Sequence, residues 1–261
     1  MYSHVTSDGT MISYRKFGSG PEQVVLIHGW MVDGRVWRKV WEKLAANPKL
    51  TILVPDLRGS GESGRSDSTY TLDRYAEDLV ELLARESVSN YWVVGHSMGG
   101  TIAQKLISTH PSQVRGVVLA APVPASGMPM PNEARIIFRQ VSTNAETAKT
   151  LLAGLVAPGH ETLADEVFDI SRDVDPAAIS QAFSEWSDAD FAETVNYSGS
   201  VSVWYGEHDE YITRSFLQRT MCKFLPQSAI QEIAGAGHYI PLEEPDQLIS
   251  GIIRLMDPSL H

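Results

Sequence analysis

The sequence is poor in cysteine and contains no long apolar run. A single cysteine, Cys222, among 261 residues excludes a disulfide within the chain and a cysteine-rich zinc site. No apolar stretch approaches the roughly 18 residues of a membrane-spanning helix, and the N-terminus lacks a basic region followed by an apolar one. We therefore expect a cytoplasmic protein that does not partner with a membrane.

Basic residues are also scarce relative to acidic ones. The chain has 32 Asp and Glu against 21 Lys and Arg, which gives a formal net charge of −11. This balance argues against nucleic acid and anionic membrane surfaces as partners. The acidic residues are spread along the chain, which favours a role in solubility. Contents of 43% hydrophobic and 20% charged residues are ordinary for a globular protein with a sizeable core.

The patterns of common metal and nucleotide sites are missing as well. There is no H-E-x-x-H motif, and His208 and His238 are thirty residues apart. The glycines of 59–64 match G-x-G-x-x-G, but they begin four residues after a predicted strand instead of at its turn into a helix. The stretch 95–100 is followed by Thr101, where a phosphate-binding loop has lysine. We predict neither a metal nor a cofactor.

Short apolar runs alternate with helix-like patterns along most of the chain. A weak alternation around Asp8-Gly9 predicts an opening β-hairpin. Buried strands are predicted at 24–27, 50–54, 91–94, 114–121, 201–205 and 229–233, and helices around 36–44, 72–83, 214–223 and 247–256. This order is typical of an α/β fold with a mostly parallel sheet and helices on both faces.

The alternation stops between Pro122 and Tyr197. Proline, methionine and glycine are concentrated at the start of this segment, and no strand pattern follows. Helical patterns lie around 134–140, 145–156, 163–170 and 176–186. We expect a helical insertion of some seventy residues over the sheet.

A serine at the end of a predicted strand is the strongest catalytic candidate. The apolar run Tyr91–Val94 leads directly into Gly95-His96-Ser97-Met98-Gly99, and an amphipathic segment follows at once. Gly-x-Ser-x-Gly between a strand and a helix is a nucleophile elbow, in which the serine is strained and the glycines leave room for it. Ser97 is therefore the predicted nucleophile.

A serine hydroxyl requires a neighbouring base, and His238 is the best placed of eight histidines. It follows the last predicted strand, and catalytic residues of parallel sheets gather at such ends. The acidic candidates after strands are Asp56, Glu207, Asp209 and Glu210. Asp209 follows the penultimate strand and yields the order Ser, Asp, His that accompanies this elbow. Glu207 is the alternative, and Asp56 is expected to hold its own turn with Arg58.

Two backbone N–H groups are predicted to form an oxyanion hole. Met98 follows the nucleophile at a helix N-terminus, where the helix dipole favours negative charge. The second donor is expected from the loop after the first parallel strand, and Trp30 is our choice because Gly29 permits a close approach. The candidate pocket wall, with ordinary packing as the alternative role, comprises Trp30, Met31, Trp37, Met128, Met130, Ile137 and Phe138.

Taken together, these motifs resemble the α/β-hydrolase superfamily over nearly the whole chain. The resemblance is carried by His28-Gly29-Trp30, by 56–63, by 95–100, by Asp209 and by Gly237-His238. It is most similar to small lidded carboxylesterases of the pimeloyl-carrier-protein methyl ester esterase type. The resemblance implies an eight-stranded sheet, a core of residues 1–122 and 197–261, and a lid of residues 123–196 inserted after the sixth strand.

The resemblance also implies a reaction. Ser97 would attack a carboxylic ester, lactone or thioester of a small to medium, mostly apolar substrate and form an acyl-enzyme. Related families leave alternatives open: a C–C bond hydrolase of meta-cleavage products, a cofactor-free perhydrolase, or a ligand-binding receptor with residual hydrolase activity. A dehalogenase or an epoxide hydrolase would carry aspartate at position 97, so Ser97 excludes both.

Overall fold

The strands pair into one sheet in the computed structural model of the protein, which describes residues 1–65 and 69–257. Across the sheet they lie in the order β1 (Tyr2–Val5), β2 (Met11–Gly18), β4 (Leu50–Pro55), β3 (Glu22–Ile27), β5 (Tyr91–His96), β6 (Val114–Ala120), β7 (Ser200–Gly206) and β8 (Ala229–Ile233). The first two strands form the predicted hairpin, β2 pairs antiparallel with β4, and β3 to β8 are parallel. The predicted eight-stranded, mostly parallel sheet is confirmed.

Helices of the core pack against this sheet. They are α1 (Arg38–Leu44), α2 (Leu72–Arg85), α3 (Met98–Thr109), α8 (Arg214–Thr220), α9 (Ile240–Glu243) and α10 (Pro245–Met256). Helix α1 packs with α10, and α2 packs with α3. Every residue of β4 and β5 is buried, as expected for strands covered on both faces. The helix predicted over 36–44 begins as a 3₁₀ turn at Gly34, and the four residues of α9 are too few for a periodic pattern.

Four helices lie between β6 and β7, where the strand pattern stops. They are α4 (Asn132–Gln140), α5 (Ala145–Ala153), α6 (Thr162–Ser171) and α7 (Pro176–Ser187). The side chain of Asn144 accepts the amides of Glu146 and Thr147 at the start of α5. Asp175 likewise caps α7, which begins with a proline. The predicted helices are thus present, and capping explains where two of them start.

Polar contacts attach helices α6 and α7 to the core. The Trp30 indole N–H donates to the carbonyl of Ile179 at 2.8 Å, and the Tyr70 hydroxyl donates to the Asp175 carboxylate at 2.6 Å. Arg35 bridges Asp33 of the core and Asp173 ahead of α7. These contacts fix the second half of the insertion over the carboxyl ends of the strands.

The order of the strands determines where a site can form. The chain crosses from β3 to β4 on one side and then returns to β5 on the other side of β3. In parallel sheets, loops that leave neighbouring strands at such a switch point diverge and form a crevice. The loops after β3, β5, β7 and β8 all start at the same edge of the sheet. They carry the predicted site residues.

The contact between α10 and β7 yields a test of the packing. A Cβ on Gly251 would lie 1.5 Å from Cη2 of Trp204, whose side chain is buried. We expect Gly251→Ala to lower the free energy of unfolding by about 2 kcal/mol, because overpacking outweighs the gain in helix propensity. Urea denaturation measures this change. Gly154→Ala is the control because its Cβ would make contacts of 3.5 Å and longer. Equal losses in both variants would contradict the packing argument.

Candidate active site

Ser97 occupies the turn between β5 and α3 in a strained conformation. Its φ is +54° and its ψ is −120°, a region that residues with a side chain rarely adopt. The Ser97 N–H donates to the carbonyl of Ala120 at 3.0 Å, and the Ser97 carbonyl accepts the N–H of Gly100 at 2.8 Å. The end of β6 and the first turn of α3 therefore hold this conformation.

The glycines around Ser97 are required by close approach of the backbone. A Cβ on Gly95 would lie 2.4 Å from the carbonyl oxygen of Gly99. A Cβ on Gly99 would lie 2.4 Å from the carbonyl oxygen of Ile27 in β3. Any side chain at either position would push α3 away from the sheet and open the turn.

Three predicted residues meet at this turn. The Ser97 hydroxyl donates to Nε2 of His238 at 3.0 Å, and Nδ1–H of His238 donates to Oδ2 of Asp209 at 2.7 Å. Burial opposes ionisation of Asp209, but its contact with His238 and the amides of Tyr211 and Ile212 more than offset it, so its pKa is lowered. An ionised carboxylate at Nδ1 keeps Nε2 free to accept the serine proton.

The alternative acids lie elsewhere. The Glu207 carboxylate accepts the N–H of Gly235 at 2.9 Å, and Glu210 is exposed. Asp209 lies in a tight turn in which its N–H donates to the carbonyl of Gly206. Its Oδ1 accepts the N–H groups of Tyr211 and Ile212 in the same loop. That turn directs its other oxygen towards His238.

Backbone contacts fix the loop of His238. Its carbonyl accepts Nε2–H of His96 at 2.9 Å, and its N–H donates to the carbonyl of Leu155 in the insertion. The buried carboxylate of Glu243 accepts the N–H groups of Gly237 and Ala157. Burial raises the pKa of Glu243. Sequence reasoning missed this residue, since one acidic residue after an apolar turn carries no distinguishing signal.

The loop after β3 approaches the elbow closely. A Cβ on Gly29 would lie 3.0 Å from Cβ of Ser97, so the backbone here lies beside that serine. The next residues are Trp30 and Met31, and Met31 has a φ of +61°. Within the described ranges, the amides of Trp30 and Met98 have no hydrogen-bond partner. Both therefore remain available as donors near Ser97.

A small apolar cavity adjoins the serine and the histidine. Its volume is about 40 Å³. The wall consists of aromatic and aliphatic side chains from the insertion and from the loops after β3, β7 and β8: Trp30, Val123, Met128, Phe138, Leu151, Leu152, Leu155, Trp186, Tyr211, Ile212 and Tyr239. The Trp30 ring stacks on Phe138 and meets Trp186 edge-on. Core and insertion thus build this wall together.

Some predicted wall residues lie outside the cavity. Met128 and Phe138 line it, as does Trp30. Met31 and Trp37 are instead buried in the core, where the Trp37 ring meets the edge of His96. Ile137 lies on the outer surface of α4 with 47% of its area exposed, and half-buried Met130 precedes that helix. Neighbouring residues of a helix point in different directions, so Phe138 faces inwards and Ile137 does not.

Asp56 holds its turn through different partners from those expected. Its carboxylate accepts hydrogen bonds from Arg15 and from the amides of Gly34 and Glu62. The expected partnership with Arg58 is wrong. Arg58 is fully buried and forms its ion pairs with Asp8 and Asp78. The Arg58 guanidinium donates two hydrogen bonds to the Asp78 carboxylate, and this bidentate contact compensates for the burial of its charge.

In the parts of the chain that the structure describes, no cluster of three or more His, Cys, Asp or Glu side chains could hold a metal ion. No helix in residues 1–65 and 69–257 is long and apolar enough to cross a membrane.

Comparison with known families identifies the fold. A family model described as "Alpha/beta hydrolase family" matches residues 24–250. The chain belongs to the α/β hydrolase family. As an α/β hydrolase it has the sheet order, the strand-turn-helix at Ser97 and the loop positions that the sequence motifs predict.

Individual relatives of this α/β hydrolase include esterases. The pimeloyl-[acyl-carrier protein] methyl ester esterase of Aeromonas salmonicida is 34% identical over 114 residues, which cover 43% of this chain and 42% of that protein. The esterase EaEST from Exiguobacterium antarcticum superposes with a TM-score of 0.88 at 22% identity, covering 96% of this chain and 97% of its own. The bromoperoxidase from Bacillus anthracis also has a TM-score of 0.88 at 22% identity, with 98% and 99% covered. The two superpositions show that this chain shares its fold with both of those proteins.

Burial of His96 generates a prediction on pH. Burial lowers the pKa of His96 from 6.5 to about 3, so between these values the unfolded chain binds one more proton than the folded one. The contribution of neutral His96 to the free energy of unfolding is therefore fully present above pH 6.5 and is lost as the pH falls towards 3. We expect the wild type to lose about 2 kcal/mol more than His96→Gln between pH 7.5 and pH 5. Urea denaturation at both pH values tests this, and equal losses would contradict it.

Proposed function

We propose that this α/β hydrolase is a serine carboxylesterase that cleaves small to medium, mostly apolar esters, lactones or thioesters through an acyl-enzyme on Ser97. The observation that carries the proposal is the hydrogen-bonded series from Ser97 to His238 to Asp209 beside an apolar cavity. Ser97 would be the nucleophile, His238 the general base and Asp209 the orienting acid. No cofactor or metal takes part in this scheme.

The reaction begins with attack on the ester carbonyl. The Ser97 hydroxyl attacks the carbonyl carbon while Nε2 of His238 takes its proton, and the carbonyl oxygen becomes an oxyanion. The amides of Trp30 and Met98 stabilise that charge, each contributing about 3 kcal/mol to the barrier reduction. His238 then protonates the departing alcohol. A water molecule, activated by the same nitrogen, releases the acid from Ser97.

The surroundings favour a neutral substrate. Among the described residues, those that line the cavity include no Lys, Arg, Asp or Glu, and buried His96 is uncharged near neutral pH because its pKa is about 3. A charged acyl group would lose its hydration without gaining a partner. We therefore expect uncharged acyl groups to be preferred over dicarboxylic ones.

Helices α4 to α7 act as the lid in this proposal. The insertion that contains them supplies Phe138, Leu151, Leu155 and Trp186 to the cavity wall, and the Leu155 carbonyl also accepts the N–H of His238. A cover of this kind excludes bulk water from the acyl-enzyme and strengthens the electrostatic contacts within the site. The domain division is then a core of residues 1–122 and 197–261 and a lid of residues 123–196.

Replacement of the nucleophile tests the proposal directly. We expect Ser97→Ala to lower kcat for p-nitrophenyl acetate by at least about 10⁴-fold, because the variant lacks the hydroxyl that forms the acyl-enzyme in this proposal. The release of p-nitrophenol measures the rate. Full activity in the variant would show that the nucleophile is assigned wrongly. Ser108→Ala, at a part-exposed position of α3, is a matched control that should retain activity.

Replacement of the acid tests the second assignment. Asp209→Asn should lower kcat by about 10³- to 10⁴-fold, since an amide no longer holds the required tautomer of His238 or stabilises the imidazolium. Glu207→Gln should keep most activity because Glu207 contacts Gly235 and not the histidine. The same ester assay distinguishes the two. A greater loss in Glu207→Gln would reverse the assignment.

A further inference from the structure

The active-site cavity is too small for a long acyl chain. Its volume of about 40 Å³ is far below the roughly 300–1,000 Å³ of pockets that enclose a drug-sized ligand. The cavity therefore suits a short acyl group. Any longer chain must extend beyond the cavity.

An outer groove begins directly beside that cavity. It lies between α4 and α5, and its walls include Ile137, Gln140, Thr147, Thr150, Leu151 and Tyr211. Leu151 and Tyr211 also line the cavity, so these two side chains separate the two spaces. We call this space the α4–α5 groove.

The partition between cavity and groove consists of side chains that differ in burial. Leu151 is buried, whereas Tyr211 is 40% exposed and meets the edge of Phe138 at 6.3 Å between ring centroids. The backbone N–H of Tyr211 donates to Asp209, so the ring is attached next to the acid of the site. A rotation of the partly exposed ring would connect the two spaces without disturbing that backbone contact.

The α4–α5 groove exposes apolar side-chain surface that an aliphatic ligand can contact. Ile137, which is 47% exposed, lines the groove together with Leu151 and the 40% exposed Tyr211. The charged lining residue is Glu146, which disfavours an anionic chain end. Burial of each methylene contributes about 0.8 kcal/mol elsewhere in proteins, so an uncharged chain gains from this surface.

We propose that the α4–α5 groove binds the distal part of an uncharged aliphatic acyl chain, and that Tyr211 and Leu151 form the gate through which the chain leaves the cavity. This inference rests on the proposed esterase activity of Ser97. It assigns an outer subsite to ester substrates whose acyl chain exceeds the capacity of the inner cavity. The gate determines which chain lengths are accepted.

A tryptophan placed in the groove tests the subsite. Thr150 is exposed on α5, so Thr150→Trp fills the groove without entering the core. We expect it to lower the ratio of kcat/KM for p-nitrophenyl octanoate to that for the acetate by about tenfold, since several methylenes lose their contacts. Tyr211→Ala, which opens the gate, should raise the same ratio. Arg139→Trp, exposed on α4 outside the groove, is the control and should leave the ratio unchanged.

The outcomes separate this inference from the proposed function. An unchanged ratio in Thr150→Trp, in a variant with the wild-type urea midpoint, overturns the groove. So does a wild type that cleaves the acetate and not the octanoate. If acetate cleavage survives Ser97→Ala, the esterase proposal itself fails and the groove assignment fails with it.

Discussion

The strained turn at Ser97 is the constraint on which the site depends. A positive φ at a serine persists only because the surroundings hold it, and here the carbonyl of Ala120 and the amide of Gly100 do so. The turn also requires that α3 touch β3, which the bare backbone of Gly99 permits. The strained conformation of Ser97 and the close packing of α3 against β3 therefore depend on each other. The position of Ser97 depends on this close approach of the helix and the sheet.

The positions of the His238 loop and of Trp30 depend on the insertion as well as on the sheet. The His238 loop is held by the Leu155 carbonyl and, through Glu243, by the amide of Ala157. Trp30 in the β3 loop is in turn held by the carbonyl of Ile179. Movement of the insertion would consequently disturb both the histidine and the loop beside the serine. The position of the insertion and the geometry of Ser97 and His238 are coupled through these hydrogen bonds.

Short-range signals predicted the elements well because each signal is local. A strand run, a glycine or a helix pattern lies within a few residues of the structure it produces, as at Tyr91–Gly99. Wall residues such as Met31 and Ile137 were harder to predict. Both are apolar and near the right loops, but whether a side chain faces a cavity depends on how α4 and the β3 loop sit against the rest of the molecule. The buried pair of Arg58 and Asp78 was missed for the same reason.

The order of motifs by itself determined the α/β fold, the place of Ser97 at a strand end, and the choice of Asp209 and His238 as its partners. Those features follow from residue patterns within short segments and from the rule that neighbouring parallel strands end at the same edge of the sheet. Tertiary structure alone decided the size and lining of the cavity, the support by Glu243, and the partition at Tyr211. Each brings together groups tens of residues apart, and their distances depend on the packing of whole helices.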